Sequence, residues 1–328
     1  MKAWQVTKLG EPADVLSLVD IEPPQPGPGA VLVRVDAVGL NFPDILLCQG
    51  KYQERPDLPF TPGLEVAGTV IETTHGATAA VGDRVYGSPG LPNGGCAEVA
   101  VLNAGGYFPT PAGMDDVTAS SWFITYQTAH VALHRRAAIQ PGETLLVHAG
   151  AGGVGSAAIQ VGKAAGATVI ATAGGEAKTA VCSKLGADAV IDYSSEDIAS
   201  RVKELTGGSG ADVIFDPVGG AVFEASTKCV AFEGRILIIG FAGGEIASAA
   251  TNHALVKNYS IDGVHWGLYR LKAPSVILET ADALADLWAS GKVAPLISEV
   301  CPMADLPAAL TRLGARGTVG KVVLTPGS

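Results

Sequence analysis

The chain has 328 residues, 48% of them hydrophobic, with 42 glycines and 32 acidic against 22 basic side chains. At roughly 100 to 200 residues per domain this length predicts two domains or one large one with a full core, and it excludes a minidomain that needs staples. A net charge of −10 with no long basic run excludes a protein that tracks nucleic-acid phosphates.

From Lys2 to about Ser120 the pattern is short strands separated by Gly and Pro, as in Ala30–Val38, Leu64–Glu72 and Gly95–Val101. The segments IEPPQPGPGA and GSPGLPNGGCA read as loops, because Pro removes a backbone donor and Gly permits positive φ. After Thr118 apolar strands alternate with helical segments: TLLVHA with VGSAAIQVGKAAG, TVIATA with EAKTAVCSKLG, AVID with SEDIASRVKELTG, then DVIFD and RILIIG. That alternation predicts a parallel sheet with crossover helices. The uncharged run Thr144–Gly162 is 19 residues long, but five glycines break it and it reads as strand, loop and helix rather than a membrane span. Two further helices are predicted near Pro274–Ser290 and Asp305–Leu313, and a last strand at Lys321–Leu324. The expected fold class is α/β: a mostly β domain over 1–121, a Rossmann doubly wound parallel sheet over 122–265, and a tail over 266–328 that returns to the β domain. The first residues lack the apolar block and small-residue cleavage site of a secretion signal, and the five cysteines are scattered without a CxxC pair. A cytoplasmic protein is the expectation.

Gly150-Ala151-Gly152-Gly153-Val154-Gly155 satisfies GxGxxG, directly after a predicted strand and before an alanine-rich helix. In that context the first glycine allows a tight turn, the second lets backbone approach a pyrophosphate, and the third lets helix and strand pack closely. A bare tight turn in a Gly-rich chain is the bland alternative, and the three further βα units weigh against it. The second strand, Thr168–Ala173, runs into Ala173-Gly174-Gly175 with no carboxylate at its tip, and Lys178 follows. A 2′-phosphate would gain a cation there, which favours NADP(H) over NAD(H); Glu176 is the dissenting charge.

The segments GLNFPDILLCQGKY, PFTPGLEVAGTV, VGDRV, HAGAGGVG, GADAVIDY and GRILIIG occur in this order along nearly the whole chain. Together they resemble the zeta-crystallin-like NADPH:quinone oxidoreductases of the medium-chain dehydrogenase/reductase superfamily. The resemblance implies a GroES-like substrate domain, a Rossmann domain, a cleft where they meet, NADPH as cofactor, and a homodimer paired through an edge strand at about Tyr259–Val264. By matching positions it implies that Lys178, Tyr193 and Arg316 grip the 2′-phosphate, that Asn41 and Thr128 line the nicotinamide, and that Gly240 and Phe241 form the loop beside it. Where the family often has a tyrosine this chain has Leu46, so that Tyr52 or Tyr126 would have to supply the polar contact.

Zinc-dependent relatives place a Cys and a His in segments where this chain has Asn41 and Leu64, and the chain has no four-cysteine cluster. The six histidines offer no ligand spacing with cysteine, and Cys48 and Cys96 read as structural because no His or Lys adjoins them. Asp44 and Glu65 read as carboxylates that hold loops. Without a Lewis acid the acceptor must be electron-poor itself, as a quinone or an α,β-unsaturated carbonyl is, and needs only hydrogen bonds to the developing oxyanion. Asn41 and Tyr52 are the expected donors. Two alternatives stay open: an enoyl-thioester (enoyl-CoA) reductase, for which Lys51 and Arg55 are the candidate entrance charges, and an NADPH-binding structural or sensor protein with little turnover.

Overall fold

A computed structural model describes residues 1–327. The chain forms two compact units, one of Met1–Ile124 with the segment from Pro295 onward, the other of Thr125–Ala294. In the first unit β1 (Lys2–Val6) and β2 (Leu16–Asp20) pair antiparallel, and β3 (Val31–Gly39), β4 (Val66–Thr73), β5 (Arg84–Gly87), β6 (Val99–Leu102) and β7 (Tyr107–Pro109) follow. β3 is central, pairing with β4 along its length and with β6 at its start, so its valines are buried on both faces. Its two charged side chains, Arg34 and Asp36, bond to each other and to Thr69. Gly39 ends the strand where a Cβ would run into Ser120 O, so only glycine allows the close approach that sets the start of the next helix, Phe42–Cys48.

The second unit holds β8 (Thr144–Val147), β9 (Thr168–Ala173), β10 (Ala189–Asp192), β11 (Ala211–Asp216), β12 (Val230–Ile238) and β13 (Ser260–Gly263). They form one six-stranded parallel sheet in the order β10-β9-β8-β11-β12-β13. The order reverses between β8 and β11, which makes the carboxyl ends of these strands the topological switch point where doubly wound sheets bind ligands. The central strands are continuous apolar runs, as a parallel sheet covered on both faces requires. The helix Gly153–Ala164 lies close on β8 because Gly162 has no Cβ to meet the Leu145 side chain.

β14 (Ile297–Pro302) and β15 (Lys321–Thr325) complete the first unit's seven-stranded sheet, with β15 joining β3 at Val38 and Gly39. The domain boundary differs here from the sequence expectation of a tail over 266–328. Helices Trp266–Lys272 and Pro274–Ala289 belong to the Rossmann unit, and only the chain from Pro295 returns. The reason is visible in Gln127, whose side chain bonds to Ile277 O and to the Trp266 indole, and in Gln160, whose amide holds both the N–H and the carbonyl of Ala294. No helix among the described residues is long and apolar enough to cross a membrane.

Candidate functional site

In the Rossmann unit the turn after β8 is held on both sides. The His148 amide donates to Phe215 O at 3.1 Å and the Gly150 amide to Thr172 O at 2.9 Å. Gly152 is the N-cap of Gly153–Ala164, so the amides of Gly153, Val154 and Gly155 have no intrahelical carbonyl four residues back and face outward from the helix start. A Cβ at Gly150 would lie 2.9 Å from Cys182 Sγ and 3.0 Å from Ala171 Cβ, and one at Gly155 would strike Ala149 O. At Gly152 a Cβ would lie 3.3 Å from Ala149 O, a crowded contact that falls short of a collision. These three positions match the tight-turn, close-approach and close-packing roles that a pyrophosphate cradle requires.

At the tip of β9, Gly174 lies under the half-exposed ring of Tyr193, where a Cβ would be 2.8 Å from Tyr193 Cζ. Gly175 has φ 81°, and its carbonyl accepts the Lys178 amide at 3.1 Å. The structure therefore gathers Gly174, Lys178 and Tyr193 around one loop. Asp192, which with the following SSED reads from the sequence as a helix N-cap, instead clamps that loop: its Oδ1 accepts from the Gly175 amide at 2.9 Å and from the Ser194 amide and hydroxyl at 3.0 and 2.5 Å. These donors hold its carboxyl below the usual range. A carboxylate tied to its own loop was not legible from strand-tip spacing.

Gly240 and Phe241 begin the loop after β12, which is latched to the loop after β11 by Ala242 N–H to Pro217 O and Gly243 N–H to Val218 O, both 2.9 Å. Thr128 lies on the helix Phe123–His130 and is 9% exposed. Arg316 belongs to the other unit, is exposed, and stands just past the helix Leu306–Gly314 with φ 57°. Glycine is usual at such a position, and a side chain held there marks strain of the kind that clusters at functional sites.

In the β unit Asn41 starts the helix Phe42–Cys48, its amide donating to Asp44 Oδ2 at 2.8 Å. Its side chain is committed throughout: Nδ2 donates to Gly39 O and to Glu65 Oε2, both 3.0 Å, and Oδ1 accepts from Lys321 Nζ at 2.7 Å. Lys321 Nζ also reaches Glu65 Oε2 at 2.9 Å, and Glu65 Oε1 accepts the Ile124 amide at 3.0 Å. Glu65 is 0% and Lys321 3% exposed, so this is a buried ion pair with its remaining capacity largely satisfied. The expectation of Asn41 as a free donor to a substrate oxyanion is corrected by this geometry, since an amide with two hydrogens already gives both. Lys321 was missed because KVVL reads only as a strand. Asp44 holds its loop, as expected, by accepting the Gly63 amide at 3.1 Å, while burial pushes its carboxyl up to about 6.

Tyr52 is half-buried against the core, and its hydroxyl, pushed up to about 12 by burial with Glu54 and Asp44 adding to it, keeps its proton. Tyr126 is corrected as a substitute for it: the ring is 1% exposed in the Rossmann unit and its hydroxyl accepts from Gln160 Nε2 at 2.9 Å. Leu46 is half-buried, and Lys51 and Arg55 are exposed. All five cysteines are free and buried, and burial pushes the Cys48 thiol up to about 12 and Cys96 well up, which leaves both poor nucleophiles. Leu64 has no lone pair to offer a metal and the Asn41 carboxamide is spent, so these residues do not fit a zinc ion. No group of three or more His, Cys, Asp or Glu among the described residues is placed to hold one.

Residues 27–112 match the model of the alcohol dehydrogenase GroES-like domain, and residues 153–285 that of the zinc-binding dehydrogenases. A doubly wound sheet with a glycine turn at its switch point, carried with a GroES-like unit, defines a medium-chain dehydrogenase/reductase. Over 326 residues the chain is 39% identical to the quinone oxidoreductase-like protein 2 homolog of Nematostella vectensis, covering 98% of this chain and 88% of that protein. It is 35% identical to the quinone oxidoreductase of Pseudomonas aeruginosa, covering 99% of each. The Escherichia coli quinone oxidoreductase, solved in complex with NADPH, superposes with a TM-score of 0.92 at 31% identity, covering 99% of this chain and 100% of that one. The chain belongs to the zeta-crystallin-like quinone oxidoreductase family of that superfamily.

Proposed function

We propose that the protein is a zinc-independent, NADPH-dependent oxidoreductase that reduces a quinone or an α,β-unsaturated carbonyl. The observation that carries the reading is the glycine turn Gly150–Gly155 at the switch point, where added Cβ atoms would collide with the protein at Gly150 and Gly155 and would crowd Ala149 O at Gly152. The dinucleotide, when bound, supplies the hydride. The outward amides of Gly153, Val154 and Gly155 bind its pyrophosphate, and Lys178, Tyr193 and Arg316 take the 2′-phosphate, with Gly174 keeping the β9 tip open. Gly240, Phe241 and Thr128 orient the nicotinamide. Asn41 serves from its network by shaping the loop Gly39–Asp44, and Tyr52, whose hydroxyl makes no hydrogen bond among the described residues, donates to the acceptor's oxygen as charge develops there. A site that offers orientation and a hydrogen bond but no Lewis acid suits acceptors that are already electron-poor.

The test is initial-rate oxidation of NADPH and NADH against a simple quinone, an enone and an enoyl-CoA, with Tyr52→Phe alongside. Turnover of NADPH with the quinone or the enone, lowered in the variant, is expected; turnover with the enoyl-CoA alone would replace the acceptor class.

A homodimer is part of this proposal. Among the described residues β13 has β12 as its one strand partner and its other edge is unpaired, and Leu255 and Val256 nearby are 76% and 77% exposed. Light scattering on the purified chain should give twice the chain mass, and a monomer at micromolar concentration would remove it. Five free cysteines suit a reducing cytoplasm.

A further inference from the structure

One buried titratable group in the Rossmann unit takes no part in the proposed chemistry. His148 stands between the last residue of β8 and the glycine turn, and its ring is 0% exposed. Nδ1 lies 3.1 Å from Thr172 Oγ1 and Nε2 lies 2.9 Å from Ser226 Oγ. Ser226 gives its own hydrogen to Val222 O at 2.9 Å, so toward His148 it can only accept. That assigns the tautomer: Nε2 carries the hydrogen, and the bare Nδ1 accepts from the Thr172 hydroxyl. Burial pushes the imidazole's pKa down, with Asp216 opposing the shift, which keeps the ring in this neutral form.

The partners of that ring are the elements that shape the dinucleotide turn. Thr172 holds the turn twice, through its carbonyl to the Gly150 amide at 2.9 Å and through its hydroxyl to His148, and it precedes the Ala173-Gly174-Gly175 tip by one residue. Ser226 lies on the helix Gly220–Cys229. Asp216, the charged neighbour at the end of β11, accepts the amides of Val218 and Gly219 at 2.8 and 3.0 Å, and those loops are latched to Ala242 and Gly243. Its Oδ2 is buried without a partner among the described residues. The residue after His148, Ala149, has φ 50°, a conformation that a side chain keeps only where its surroundings over-determine it.

We propose that His148 is the positioning residue of the dinucleotide site. Its neutral ring sets the spacing between the β8 turn and the β9 tip, the two backbones that bind the pyrophosphate and the 2′-phosphorylated ribose. The inference rests on the NADPH reading above and adds the residue that holds that site in register.

The experiment is a fluorescence titration of NADPH into the full chain without acceptor, for the wild type, Thr172→Val and Thr172→Ser, with melting curves in parallel. Thr172→Val is isosteric and suits a strand, so it removes the bond to Nδ1 while leaving the backbone bond to Gly150. It is expected to raise the NADPH Kd by about fivefold or more, with KM for NADPH rising by more than kcat falls, and Thr172→Ser should keep the wild-type Kd because it keeps the hydroxyl. A wild-type Kd in Thr172→Val, or an equal rise in both variants, overturns the assignment. If the wild type itself fails to bind NADPH, the dinucleotide reading falls and takes this one with it. Binding by the wild type with no effect of the valine sinks the positioning role alone.

Discussion

The two units bury polar constellations of opposite kinds. In the β unit Glu65, Lys321 and Asn41 form a charged cluster in which an ammonium and a carboxylate meet at 2.9 Å with almost no exposure. In the Rossmann unit His148, Thr172 and Ser226 form a neutral chain of hydrogen bonds whose tautomer is set by its last acceptor. A buried ion pair is tolerated only while both members stay, because the survivor of a truncation is a charge in a low-dielectric interior. A neutral chain loses one hydrogen bond at a time and is felt in the geometry it holds.

The largest effect that would break this contrast comes from Lys321→Met. Removing the ammonium leaves Glu65 buried and unpaired, and the cost expected in chemical denaturation is about 3 to 5 kcal/mol. A loss below about 1 kcal/mol would mean that the carboxyl takes up a proton at little cost and that the pair is not the fixed point.

Next come the cations proposed for the 2′-phosphate, Lys178 and Arg316. Lys178→Ala and Arg316→Ala should each weaken NADPH by about tenfold and together by about 100-fold, as charge-assisted hydrogen bonds do, while NADH affinity stays. An unchanged NADPH to NADH ratio in the double variant would remove the phosphate assignment from both.

The last effect is a slope with pH. Asp44 titrates at about 6 in the folded protein against an ordinary 3.8, because burial outweighs the amides it accepts. The folded state therefore holds a proton that the unfolded chain has released. The stability this group contributes is full below about pH 4 and is lost as pH rises through about 6. Comparison of wild type with Asp44→Asn by denaturation from pH 4 to 7 should show a fall with rising pH that the variant lacks, and parallel curves would contradict it.

Most of the fold was legible because its signals are local. The alternation after Thr118 gave five of the six parallel strands, and the sixth, β13 at Ser260–Gly263, falls where the family resemblance implied an edge strand. The glycine turn was legible because each glycine answers a steric demand within a few residues of it. The chain's return was placed too early, since the assignment of Trp266–Ala289 depends on Gln127 and Gln160 bonding across more than a hundred residues. The same distance hid the site's polar networks: Lys321 meets Asn41 from 280 positions away, and His148 meets Ser226 from 78. A lysine opening a strand and a histidine just past the end of one carry no local sign of burial. Asn41 was expected at the right place in the wrong role, because a sequence names a donor without showing where its hydrogens already go.

The central claim is that this family member turns over NADPH with an electron-poor acceptor. Initial rates with NADPH and NADH against a quinone, an enone and an enoyl-CoA test it most directly. The account predicts steady NADPH oxidation with the quinone or the enone and a clear preference over NADH. Tight NADPH binding with no turnover on any of the three would contradict it and leave a nucleotide-binding protein that is not a reductase.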